Sequence, residues 1–257
     1  MTEIPVPKHS STILLVREGE RGIEVFVQRR ASTMAFAAGM TVFPGGGMSD
    51  SDLDEGVRWI GPDAAWWAGQ FGTDESLARG LVVTAIRETF EECGVLLAGA
   101  DAETVADPSQ FLAARAELAA GTLSMAEFLQ AENLFLRADL LRPWSNWITP
   151  VGQPRRYDVR FFVAELPANQ AADGKTTEAA ETGWYTPAGL LEIWKAGQAI
   201  LMPPTWAQIV DLAEFGLIAE VLEAERIITA IEPRPGHGAL DFPNAADYLE
   251  VVGNFRA

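Results

Sequence analysis

The stretch from Gly80 to Val95, Gly-Leu-Val-Val-Thr-Ala-Ile-Arg-Glu-Thr-Phe-Glu-Glu-Cys-Gly-Val, constrains the fold more than any other part of the chain. A helical period of ~100° per residue gathers Val83, Ile86, Phe90 and Cys93 into one apolar stripe that needs a core. Glu88, Glu91 and Glu92 fall on the other side. Their spacings of three and four residues bring the carboxylates within reach of a common point, where like charges repel unless a positive group lies between them. Arg87, four residues before Glu91, neutralises part of that charge, and a hard divalent cation is the simplest way to neutralise the rest. Gly94 is placed to end the helix in a left-handed cap. A solvated acidic face on an amphipathic helix is the competing reading.

Composition limits what such a cation could be. With one Cys and two His in 257 residues, an intrachain disulfide is excluded and a Cys/His zinc site lacks ligands. Oxygen donors remain, which favours Mg²⁺ or Mn²⁺. A formal charge of −17 argues against nucleic acid as a partner, although a metal-loaded site accepts an anionic substrate locally. No run of about 18 apolar residues marks a membrane span. The opening Met-Thr-Glu-Ile-Pro does not read as a signal peptide and the closing Asn254-Phe255-Arg256-Ala257 does not read as a peroxisomal address, so the expected compartment is the cytoplasm.

Residues 87–95, Arg-Glu-x-x-Glu-Glu-x-Gly-Val, resemble the second half of the Nudix box, and Phe43-Pro44-Gly45-Gly46-Gly47 resembles its first half. The family pattern is a Gly, five residues, Glu, seven residues, then the Arg-Glu segment. Here Gly46 lies 41 residues before Arg87 where the family has 14, so the box is split by an insertion of 27 residues. A split box is similar to that of the peroxisomal coenzyme A diphosphatases. In that branch a longer signature runs into Phe-Pro-Gly-Gly; Arg30 and Gly39 match it, while Ala31 and Ala35 stand where it has a Ser and a second Arg. Thr149-Pro150 and Arg155-Arg156-Tyr157-Asp158 are similar to the same branch.

Along the chain, Ser11 to Val16 and Gly22 to Arg29 read as a first hairpin, and Trp144 to Pro150 and Arg155 to Ala164 as two further strands. Residues 50–78 carry Trp59, Trp66, Trp67 and Phe71, too many aromatics for a disordered linker, together with Asp50, Asp52 and Asp54 near the place of the box's first Glu. Residues 107–141 read as two or three Ala/Leu-rich helices, with Ser124 as a cap. An insert of that kind builds part of a substrate pocket or an oligomer contact, a homodimer included. Glu178 and Glu181 precede a strand at Gly183 to Tyr185, a helix runs from Thr186-Pro187 to Lys195, and a long helix from Pro203 to about Glu225. A last strand is expected at Ile227 to Ile231. The Pro/Gly-rich tail from Pro233 has no regular period. One domain over 1–257 is expected, with insertions at about 50–78 and 107–141 and a C-terminal helical extension.

The resemblance implies an α/β fold, a Nudix-type α/β/α sandwich with a mixed central sheet and helical insertions, and an enzyme that cleaves a small-molecule pyrophosphate. It implies Glu91 and Glu92 as principal metal ligands, Glu88 as ligand or base, Arg87 orienting them, and a Gly46 carbonyl as a further ligand. Arg30 also belongs to the branch signature. Arg155 and Arg156, at a strand entrance in an acidic chain, suit phosphate oxygens. Coenzyme A or acyl-coenzyme A ranks first as substrate. ADP-ribose or NADH, and a Nudix-like binding module without catalysis, are the alternatives.

Overall fold

The computed structural model describes residues 4–31, 37–176, 179–236 and 239–254; Ala35, Glu178 and the chain ends lie outside the described residues. Its centre is a mixed sheet. Strand β1 (Lys8–Gly19) turns at Glu20-Arg21 into β2 (Gly22–Arg30), a longer hairpin than the β-branched pattern predicts. Two short strands, β3 (Thr41–Val42) and β4 (Gly45–Gly47), pair with β2 and β1. Then come β5 (Trp59–Ile60), α1 (Ala64–Phe71), α2 (Glu75–Cys93), β6 (Ala98–Gly99), α3 (Leu112–Ala119), α4 (Met125–Ala131) and β7 (Phe135–Arg137). The main sheet resumes with β8 (Arg142–Ile148), β9 (Tyr157–Glu165) and β10 (Ala179–Tyr185). After them lie α5 (Pro187–Lys195), α6 (Pro203–Ala213), α7 (Ile218–Glu223), β11 (Ala230–Ile231), the hairpin β12 (Arg234–Gly236) and β13 (Ala239–Asp241), and α8 (Ala245–Asn254).

The sheet order is β10-β2-β1-β9-β8-β11, with β1 parallel to β9 and antiparallel to β2. Central strands of such a sheet are apolar on both faces, and β1 shows why two helical layers are needed. Its Ile13 and Leu15 enter one core with α1, α2 and α4, while Leu14 and Val16 enter a second with α5, α6, α7 and α8. The result is the expected α/β/α sandwich.

Four local readings are corrected. Helix α2 starts at Glu75 rather than Gly80, because Asp74 accepts a hydrogen bond from the Leu77 N–H at 2.8 Å and caps it there. The helix expected from Pro203 to Glu225 is broken: Glu220 turns back to accept from the Gly216 and Leu217 N–H groups, at 3.0 and 3.1 Å, and starts α7 afresh. The second insertion closes with a strand, β7, in a small sheet of order β5-β7-β6. The tail from Pro233 forms a hairpin and a helix whose Tyr248, Val251 and Val252 pack on the second core. Among the described residues no helix is long and apolar enough to cross a membrane.

Both insertions pack inward. Trp67, fully buried, lies 5.6 Å from Phe162 of β9 and 6.1 Å from Phe71, ring centre to ring centre. Phe128 of α4 stacks on Phe90 of α2 at 5.8 Å. Trp67→Ala should therefore cost about 3–5 kcal/mol in urea unfolding, the range for truncating a core aromatic, whereas a peripheral loop residue would cost under about 0.5 kcal/mol.

Candidate active site

Helix α2 is the element that positions the site. Thirteen of its nineteen residues are buried, since α1 and α3 cover the side that a surface helix would give to solvent. The carboxylates share that burial: the Glu88 and Glu91 side chains are 13% and 12% exposed, and Glu92 is 5% exposed. A solvated acidic face is thereby ruled out. Gly94 ends the helix at φ 72°, the left-handed cap read from the sequence.

Arg87 sits at the centre. Its Nε and Nη2 donate to the two oxygens of Asp52 at 2.8 and 2.9 Å, and its Nη1 donates to Glu88 at 2.8 Å and Glu91 at 3.0 Å. Nη2 also donates to the Gly47 carbonyl at 3.0 Å. Burial alone would lower its pKa, but the hydrogen bond to Asp52 and the charges of Glu88, Asp52 and Glu91 hold it above the ordinary arginine value. Asp52 is fully buried and also accepts from Thr84 Oγ1 and the Ser49 N–H, each at 2.9 Å. Asp50 and Asp54 are exposed. Of the three aspartates, the one six positions after Gly46, where the box places its first acid, is the one on Arg87.

The halves of the split box meet in space. The carboxylate of Glu88 packs so closely on Gly46 that a Cβ built there would lie 2.5 Å from it, which is why that position carries no side chain. Glu92 accepts from the Gly45 N–H at 2.9 Å and from Gln28 Nε2 at 2.6 Å. The common point reached by Glu88 and Glu91 is thus Arg87 Nη1, while Glu92 is held apart. Among the described residues no three Asp, Glu, His or Cys side chains stand as a ready metal cage. The donor chemistry nevertheless fits a hard cation: the set is all oxygen, and three carboxylates share one guanidinium, leaving net negative charge. Burial, opposed by Arg87 and reinforced by Glu91, pushes the Glu88 carboxyl up from 4.5 to about 7.

Glu88, Glu92 and Gly45–Gly47 form one wall of a cavity of about 580 Å³. Ser10 and Thr12 of β1, Trp147 of β8, and Tyr157, Val159 and Phe161 of β9 form its floor; Met202 to Thr205 and Pro233 lie across it. Arg30 and Arg155 both line it. Arg156 does not: it donates to the carbonyls of Thr149 and Pro5 at 2.9 and 3.0 Å and pairs with Glu232, an internal strut at the entrance of β9. Arg160 pairs with Asp158. Glu181 pairs with Arg29 at 3.1 Å on an exposed edge, away from the cavity. None of residues 107–141 lines the cavity, so the second insertion is not the pocket element that one reading allowed. It braces the helix instead, with Arg115 of α3 donating to the Glu91 carbonyl at 3.1 Å. Gln28 had no part in the motif reading, although an amide directly after the apolar run Val25-Phe26-Val27 signals a partner.

A family model described as the NUDT19 Nudix domain matches residues 72–212, just over half of the chain. The chain belongs to the NUDT19 Nudix-domain family. The Nudix match begins beyond Gly45–Gly47, and the contacts of Gly46 with Glu88 and of Gly47 with Arg87 supply the missing half of the box. Among curated proteins, the chain is 26% identical to "Acyl-coenzyme A diphosphatase NUDT19" from Xenopus laevis over 77% of its own length and 62% of that protein. It is 30% identical to the Gallus gallus protein of the same name, over 77% and 63%. The chain thus spans about three fifths of the length of these relatives. A crystal structure of a NUDIX hydrolase from Alicyclobacillus acidocaldarius superposes with a TM-score of 0.70 at 28% identity, covering 86% of this chain and 98% of that one.

The raised pKa of Glu88 has a thermodynamic consequence in metal-free protein. The folded state holds this proton more tightly than the unfolded chain, so the stabilisation due to the neutral carboxyl is complete below pH 4.5 and lost as pH rises through about 7. Glu88→Gln, which cannot ionise, should exceed the wild type in stability at pH 8 by up to ~3 kcal/mol and converge with it at or below pH 4.5, as read by urea unfolding in chelator.

Proposed function

We propose that the chain hydrolyses the diphosphate of a nucleotide-derived substrate with the help of a divalent cation. The observation that carries this reading is the meeting of Gly45–Gly47 with Arg87–Glu92 at the wall of a cavity that also takes Arg30 and Arg155. Glu88, Glu91 and Glu92, with the Gly46 carbonyl, would hold Mg²⁺ or Mn²⁺. Such an ion, when bound, neutralises phosphate oxygens and makes a coordinated water more acidic. The remaining work falls to side chains. Arg87 anchors the carboxylates from behind, Glu88 at the cavity wall serves as ligand or as the base that takes a proton from the attacking water, and the guanidinium forks of Arg30 and Arg155 suit phosphate oxygens.

Coenzyme A and its thioesters rank first as substrates, supported by the names of the frog and chicken relatives. Hydrolysis at the diphosphate would add one water and give 3′,5′-ADP and a phosphopantetheine. ADP-ribose or NADH is the second reading. It is favoured by Ala31, which offers no donor next to the cavity-lining Arg30, and by Ala35, where the branch signature has an Arg that could meet a 3′-phosphate.

Arg155→Ala should raise KM roughly ten- to a hundredfold, the loss of one charge-assisted contact of about 1.5–3 kcal/mol, with little change in kcat. Arg156→Ala should instead lower stability and leave KM nearly unchanged, because its donors hold Thr149, Pro5 and Glu232. An unchanged KM in Arg155→Ala removes the phosphate role.

The substrate itself is decided by kcat/KM for coenzyme A, dephospho-coenzyme A, ADP-ribose and NADH with and without Mg²⁺ or Mn²⁺. Metal-dependent turnover with coenzyme A within about tenfold of the best compound, ~1.4 kcal/mol in transition-state binding, supports the first reading. Cleavage of another compound but not of coenzyme A selects the second, and no metal-dependent turnover of any diphosphate points to a binding module without catalysis.

A further inference from the structure

We propose that Gln28 is a positioning residue for Glu92, orienting its carboxylate at the cavity wall through a neutral donor. The inference rests on the reading of the site just given.

Gln28 is 1% exposed in a strand whose other inward positions, Ile23, Val25, Phe26 and Val27, are all apolar. A buried amide is unfavourable unless its polar atoms are engaged, so its presence there asks for a partner. The partner is Glu92: the carboxylate can only accept, the amide Nε2 donates to its Oε2 at 2.6 Å, and the Gly45 N–H reaches the same oxygen at 2.9 Å. The platform is rigid, because the backbone of Gln28 is paired on one side with Val42 of β3 and on the other with Thr182 of β10. Gln28 does not itself line the cavity, whereas Glu92 does.

The choice of donor distinguishes Glu92 from its neighbours. Glu88 and Glu91 accept from the Arg87 guanidinium, which orients them and also cancels charge. An amide orients without cancelling. A Lys or Arg at position 28 would compete with a cation for Glu92, a Glu would repel the carboxylate, and an aliphatic residue would remove one of the donors that set its rotamer. Partners of this kind behind a ligand are known to control metal affinity by fixing ligand geometry.

The test is isothermal titration of Mn²⁺ into the full chain. Gln28→Met, similar in length and without a donor, should weaken Mn²⁺ binding by roughly tenfold or more, and raise the Mn²⁺ concentration for half-maximal turnover by the same factor. Substrate KM at saturating Mn²⁺ should not change. Phe26→Leu, on the same face of β2 but removing no donor from Glu92, should leave Mn²⁺ affinity as in the wild type, which separates positioning from general loosening of the strand. Should Gln28→Met fail to fold, Gln28→Asn keeps the amide and withdraws it by one carbon, with the same weakening expected. Wild-type affinity in the Gln28 variants, or an equal loss in Phe26→Leu, overturns the proposal while leaving the hydrolase reading standing. Absence of Mn²⁺ binding by the wild type overturns both.

Discussion

The two halves of the split box and two of its three glutamates are joined by one buried guanidinium. Arg87 is surrounded by Asp52, Glu88, Glu91 and the Gly47 carbonyl, so a single side chain ties together the glycine loop, the insertion and the carboxylate helix. Taking this group out of water is unfavourable by several kcal/mol and is offset only because its donors are met by charged or carbonyl oxygens in good geometry. The same arrangement explains why the box tolerates being split. Loop-closure entropy rises only with the logarithm of length, so opening the Gly46-to-Arg87 separation from 14 to 41 residues adds about 1 kcal/mol. The inserted segment offsets that by burying Trp67 and Phe71 in the core.

What could be read from the chain follows the range over which each signal acts. Runs of β-branched and aromatic residues located the main strands, which are buried between two helical layers, while the 3.6-residue period located α2 and Thr186-Pro187 marked the start of α5. The break at Gly216 was hidden, since Ile209, Leu212, Ala213, Leu217 and Val221 keep a helical spacing across it, and α6 nevertheless ends at Ala213 while the capping turn of Glu220 starts α7. Helix α8 was hidden by the Pro/Gly-rich approach to it. At the site, the carboxylates and the glycine loop were legible as motifs, whereas the split of roles between Arg155 and Arg156 was not. It follows from alternation: Arg155, Tyr157, Val159 and Phe161 all line the cavity, so the intervening Arg156 must face the other way. Continuing the strand period two residues upstream would have separated the pair.

The helical insertion at 107–141 acts on the site from behind. With Phe128 on Phe90 and Arg115 on the Glu91 carbonyl, it shields α2 from solvent and fixes the turn that carries Glu91 and Glu92. Arg115 also grips both oxygens of Asp173 at 2.9 Å, and the Asp173 N–H in turn donates to the Cys93 carbonyl at 2.8 Å, so the last turn of the helix is held from two sides. Carboxylates in such a setting cannot relax into water. Burial, reinforced by the Glu91 charge, therefore holds a proton on Glu88 up to about pH 7 in the metal-free protein.

The far end of the cavity has a different origin. Trp147, Phe161 and the prolines 203, 204 and 233 make it apolar, and Trp147 is backed by Phe242 at 5.8 Å between ring centres. Phe242 is in turn part of an aromatic group with Trp206 and Tyr248, whose hydroxyl donates to the Leu201 carbonyl at 2.8 Å, next to the Met202 that lines the cavity. Pro233, Phe242 and Tyr248 all lie beyond residue 212, outside the segment that matches the family model. The carboxylates of α2 lie inside it. Trp147, Phe161, Pro203 and Pro204 also lie inside it, so family membership covers the acidic end of the cavity and most of its apolar lining, while the residues that back that lining from behind, Phe242 and Tyr248, are particular to the part of the chain beyond the match.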